Sequence, residues 1–206
     1  MWALVESGSI TKFINSPKGL VIGDVRYSKK IFQLWSKSEL EAKGIYEVEM
    51  DNSKRKSEEW YINTNVTYAF GSGKVTGSYG DATAKAHADT LFTAQDETDG
   101  LGTEGEVKDR GLKYNLIRTV KKEAAQILQD TDWYITRKAD AGTAVPSSIT
   151  NHRAAVRTKA AEMETSITNA SDTPALQTLY TYVNTADEGD PVVMERPLGE
   201  LPTLES

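Results

Sequence analysis

The chain contains no cysteine and only two histidines, His87 and His152. The first absence excludes disulfide scaffolds, Cys-ligated zinc, iron–sulfur clusters and thiol nucleophiles. Two imidazoles leave little scope for metal or triad chemistry. Long apolar runs are missing too: no stretch approaches the ~18–20 residues of a membrane span. The opening MWALVESGSI reaches Glu6, Ser7 and Gly8 before a signal-peptide core can form, so no targeting segment is expected. Neither G-x-S-x-G nor H-E-x-x-H occurs. What is there is a globular mixture, with 38% hydrophobic and 26% charged residues in a chain of 206.

The net charge of −6 is uneven. Residues 1–80 carry 11 basic and 9 acidic side chains, and residues 81–186 carry 12 and 15. The last twenty set Arg196 alone against six acids. A nearly neutral body gives no footprint for a polyanion, so neither nucleic acid nor membrane is expected as a partner. The one basic run, Lys54-Arg55-Lys56, is flanked by Asp51, Glu58 and Glu59 and reads as a solvated turn.

Periodicity divides the chain. Residues 1–80 read as a β-rich module with one short helix. Trp2–Val5 and Ile10–Ile14 are paired around a four-residue turn. Leu20–Ile22 and Val25–Tyr27 flank Gly23-Asp24, which suits a two-residue turn needing positive φ at its first position. Ser36 and Glu39 spell a capping box for a helix that Gly44 stops. Ile45–Met50 resumes a strand, and Trp60–Ile62, Val66–Phe70 and Lys74–Tyr79 predict a closing meander. Residues 81–185 read as a helical module. Asp81 is the expected cap of a helix to about Ala94, and a second helix runs from Glu104 to about Gln129. A third follows Pro146, where Ile149, His152, Val156, Ala160, Met163, Ile167 and Ala170 form an apolar stripe. A fourth fits Pro174–Val183. Residues 186–206 predict an extended acidic arm with three prolines, whose apolar residues fit a groove on this chain or on a neighbour.

The motifs that carry chemistry are near-misses. Gly71-Ser72-Gly73-Lys74 lacks the upstream glycine and following hydroxyl of a phosphate loop, and reads as a hairpin turn. Gln95–Glu106 places Glu97, Asp99, Gly100 and Glu106 on calcium-loop positions, but Gln95 supplies no carboxylate at the first. Packing on a helix is the better account of each lone histidine. No cofactor or metal is expected, and the chain reads as a non-enzyme. A glycan-cleaving enzyme, the remote alternative, would need two carboxylates in a shared cleft.

The segment ILQDTDWYITRKADAGTAVPSSITNHRAAVR, residues 127–157, is the most informative. Thr131 or Asp132 can end one helix, Trp133 is expected to pack beneath the next, and Arg153 and Arg157 lie one helical turn apart. Asp132, Trp133, Arg153 and Arg157 are therefore expected to form a structural corner first and a contact surface second. With Leu128 and Pro146, these residues resemble the tail-assembly-chaperone-like domain of tailed bacteriophages, which would place its helical hairpin at about 104–170. His152 stands where that family has an aromatic residue, and Val156 where it has Leu. Ala3-Leu4-Val5-Glu6 and Leu34-Trp35-Ser36-Lys37-Ser38-Glu39-Leu40 through Val48 are similar to the small N-terminal module of phage tail and tail-fibre accessory proteins, of the kind found in marine phages. The resemblance implies a non-catalytic structural component of the virion, in its tail region, made in the bacterial host cytoplasm. It further implies an oligomer contacting tail, fibre or adaptor subunits. The alternative it leaves is a tail-fibre assembly chaperone absent from the mature particle.

Overall fold

The computed structural model describes residues 1–204; Glu205 and Ser206, the tip of the expected arm, lie outside the described residues. The chain is α+β and divides into two compact units, one spanning Met1–Thr83 and the other beginning at Ala84.

The first unit is built on a five-stranded sheet. Strands β1 (Trp2–Glu6) and β2 (Ser9–Ile14) form a hairpin whose loop is Ser7-Gly8, two residues rather than four. Both have positive φ, 51° and 79°, as a primed turn between twisted strands demands. A bulge near Thr11 puts Ile10 opposite Val5 and Phe13 opposite Ala3. Three residues apart, Ile10 and Phe13 would face opposite ways in a regular strand; the extra residue returns both to one face. Next come the hairpin β3 (Leu20–Ile22) and β4 (Val25–Tyr27) and two short helices, α1 (Ile31–Leu34) and α2 (Lys37–Glu41), where one was expected. The Ser36–Glu39 capping box is formed, each side chain accepting from the other residue's backbone N–H.

Strand β5 (Ile45–Asp51) then joins β1, and β6 (Tyr61–Ile62) stays outside the main sheet. Strands β7 (Thr67–Gly71) and β8 (Lys74–Ser78) complete the order β2-β1-β5-β8-β7. The expected meander is wrong here: β8 lies between β5 and β7 and runs parallel to β5. Alternation identifies a strand but not its neighbour, and pairing β8 with β5 buries Val75 completely. One face of the sheet, with Leu4, Ile14 and Ile45, is covered by Leu20, Ile31 and Leu40 from the β3–β4 hairpin and the helices. The other gathers Ala3, Val5 and Val75 with Tyr46, Val48 and Phe70. The sheet curls until its edge strands meet through Phe13 and Tyr68, rings 4.7 Å apart.

The second unit departs further from expectation. No helix runs from Asp81 to Ala94. Instead the unit boundary falls within β9 (Thr83–Ala84), and beyond it β10 (Thr90–Leu91) pairs with β11 (Val107–Asp109) and α3 (Ala94–Thr98) is capped by Thr93. Lys108 and the Thr93 backbone and hydroxyl hold the Asp96 carboxyl at about 2. Helix α4 (Leu112–Gln129) therefore begins eight residues later than Glu104. Its free N–H groups explain the change: Leu112 and Lys113 donate to the carbonyls of Ala86 and His87, at 3.0 and 2.9 Å. Those carbonyls, committed across the chain, cannot serve a local helix. The Asp89 carboxylate accepts from the Gly111 N–H at 2.8 Å and from Arg110 at 2.6 Å, which keeps its pKa below the usual range.

Gly111, expected inside a helix, is the cap residue of α4, and a Cβ there would collide with the Ala88 backbone. Gly111→Ala should thus destabilise the second unit by about 1–3 kcal/mol through overpacking, read as a lower urea midpoint. An unchanged midpoint would show that residues 86–88 can move aside.

Helix α5 (Asp132–Ala141) follows α4, and α6 (Ser147–Asn169) packs along α4. All seven residues of the predicted stripe on and just beyond α6 are buried, as are Val120 and Ala124 on α4. Helix α7 (Thr173–Tyr180) stops before Val183, because the chain there turns into β12 (Val183–Asn184), paired with β13 (Met194–Glu195). The expected arm is thus a short hairpin in its first half. Beyond it Leu198 is buried and donates its N–H to the Leu179 carbonyl at 3.0 Å.

Candidate functional site

The corner at residues 128–157 is built around Arg153. Helix α4 ends with carbonyls that have no partner within the helix, and only Asp130 and Thr131 separate it from α5. Arg153 projects from α6 into this gap. Its Nη1 donates to the Leu128 carbonyl at 2.7 Å and to the Thr131 hydroxyl at 2.6 Å, and its Nη2 pairs with Asp132 Oδ1 at 2.8 Å. Thr131 in turn donates its hydroxyl to the Leu128 carbonyl at 2.9 Å. One guanidinium thus caps the negative end of α4 and fixes the first carboxylate of α5. The Arg153 side chain is 9% exposed, while that of Asp132 is 58% exposed.

The four predicted residues therefore part company. Asp132 and Arg153 are brought together. Arg157, exposed on α6, donates to the Arg153 carbonyl at 3.4 Å and makes no ion pair with Asp132 among the described residues. The expectation that Trp133 packs under the next helix is overturned: Trp133 is 51% exposed. Its ring stacks on Tyr134 at 3.8 Å, with the Arg137 guanidinium 4.7 Å from its centroid. The stack satisfies the indole without a core, through aromatic and cation–π attraction. Arg153 takes the structural part of the expected corner: it is an intramolecular brace because its fork meets three acceptors at once.

Helix α5 forms between Gln129 and Pro146, where no helix is expected. It buries none of its residues and shows Ile135 as well as Trp133 to solvent. Gly142, in the left-handed region at φ 68°, ends it and was the available signal. His152 is buried on α6, and among the described residues neither its Nε2 nor the Arg153 Nε has a hydrogen-bond partner. No group of three or more His, Asp or Glu side chains that could hold a metal converges among the described residues, and no helix there is long and apolar enough to cross a membrane.

One pattern escaped sequence reasoning. Gly100-Leu101-Gly102-Thr103-Glu104-Gly105 spells the glycine spacing of a dinucleotide loop. It leads from α3 into β11, the reverse of the strand-to-helix order that aims N–H groups at a pyrophosphate. Gly102 instead lies against the Phe92 ring, where a Cβ would clash. Comparison of the chain with protein-family models, with curated proteins and with solved structures finds no match.

Proposed function

We propose that this chain is a non-catalytic structural component of a tailed-phage virion, in the tail or its fibres, acting through contacts with tail, fibre or adaptor subunits. The observation that carries the contact role is α5, a ten-residue helix with no buried residue that displays a Trp133–Tyr134–Arg137 stack. Trp, Tyr and Arg are the residues that dominate protein interfaces, because each offers large area with a polar handle. The Arg153 brace adds to this: its bonds to Asp132 and to Thr131 just before it fix the base of α5, so the helix presents its side chains with less conformational entropy left to lose. The phage assignment rests on the likeness of Leu128, Thr131, Asp132, Trp133, Pro146, Arg153 and Arg157 to the chaperone-like corner.

That same likeness favours the second reading, an assembly chaperone. Mass spectrometry of purified particles separates the two. Many copies per particle are expected. Abundance in infected cells with absence from particles would overturn the virion role in favour of the chaperone.

A further inference from the structure

Two exposed apolar patches of opposite flanking charge occur on the second unit. One is α5, with Trp133 and Ile135 exposed beside Arg137 and Lys138. Asp132 is taken up by Arg153, so the helix presents its two cations against Asp140 alone. The other is the β12–β13 hairpin, where Tyr182, Val183, Val193 and Met194 are about half exposed and Val192 is 70% exposed. Its connecting turn carries Asp187, Glu188 and Asp190, all exposed. No hydrogen bond or ion pair joins the two patches within one chain among the described residues.

We propose that these patches are the two halves of a self-contact, in which α5 of one copy seats on the β12–β13 hairpin of a second copy of this chain. The proposal rests on the reading of α5 as a contact surface and names its occupant. Charge complementarity argues for it. The basic, aromatic face meets an apolar ribbon whose turn holds three acids, while either patch against itself would oppose like charges. The surfaces differ, so the contact is heterologous, runs head to tail, and closes into a ring or extends as a filament. Each patch is small, and the contact falls among interfaces below about 1,200 Å². It is weak between two free chains and gains strength when copies are arrayed on a particle.

The test uses the full-length chain in sedimentation equilibrium over a wide concentration range. Concentration-dependent association, weakened by salt, is expected. The variant Arg137→Glu/Lys138→Glu should remain monomeric, and so should Asp187→Lys/Glu188→Lys/Asp190→Lys. Circular dichroism on each confirms folding, since all five positions are exposed. Mixing the two variants should restore association, because each then offers a surface of the sign the other needs. A mixture that stays monomeric, or association untouched by both variants, would overturn the self-contact. So would Trp133→Ala blocking incorporation into particles while the wild-type chain shows no self-association, since the occupant of α5 would then be a different virion protein. Failure of the virion reading looks different: the chain self-associates but is absent from purified particles.

Discussion

Arg153→Met should lower the stability of the helical unit by about 3 kcal/mol, the cost of removing a buried hub whose three charge-assisted bonds tie α6 to the end of α4 and the start of α5. In a unit of this size that amounts to a fall of about 10 °C in melting temperature. The Leu128 carbonyl and Thr131 hydroxyl would lose the guanidinium and keep only their bond to each other and the local backbone bond, and Asp132 would be left to solvent. Arg153→Lys should rescue little, since one ammonium cannot span the same three acceptors in the geometry of a planar fork. Trp133→Ala should cost less than about 1 kcal/mol because it deletes a surface stack rather than a core residue. Arg157→Ala should stay within about 0.5 kcal/mol. Thermal unfolding followed by the helical circular dichroism signal ranks the variants, and a Trp133→Ala loss equal to that of Arg153→Met would refute this account of the corner.

The second large effect belongs to the sheet. Ile45 is fully buried on β5, at the centre of the face roofed by Leu20, Ile31 and Leu40. Ile45→Ala should cost about 2–5 kcal/mol, the transfer of the lost methyl groups plus the cavity they leave. The tryptophans give a private readout. Trp2, Trp35 and Trp60 lie in the first unit, and only Trp133 lies in the second. Intrinsic fluorescence should therefore move to lower denaturant in Ile45→Ala, with the helical signal holding its wild-type midpoint. An equal shift in both signals would contradict the placement of Ile45 in a core belonging to the first unit alone.

What could be read from residues alone follows the range of the interaction that decides it. The β3–β4 hairpin, the α2 capping box and the α6 stripe are settled within a few residues, and each stands where its pattern put it. The parallel partner of β5 is chosen by burial across the sheet, which alternation does not encode. The stretch from Asp81 to Gly111 carries helical composition, yet its carbonyls and the Asp89 carboxylate are engaged by the start of α4. At the corner the departure is Trp133, a residue expected inside because of its area. Here Tyr134 and Arg137 shelter the indole locally, and an unfinished helix end swallows the guanidinium. The stripe on α6 did mark the place, since Arg153 adjoins His152, one of its members.

The parallel pairing of β5 with β8 has a consequence in time. Between them lie 22 residues, including the whole of β7. The β1–β2 hairpin can close as soon as Ile14 is synthesised, and β5 can dock on β1 soon afterwards. Until β8 arrives, however, β5 presents an unpaired edge and the Val75 position beside Ala3 and Val5 is vacant. Such non-local closure is slow compared with the collapse of two helices joined through a short corner. During synthesis the nascent chain thus carries an open strand edge for the time needed to add those residues, and that edge is where a holding factor or a neighbouring nascent chain would first find purchase.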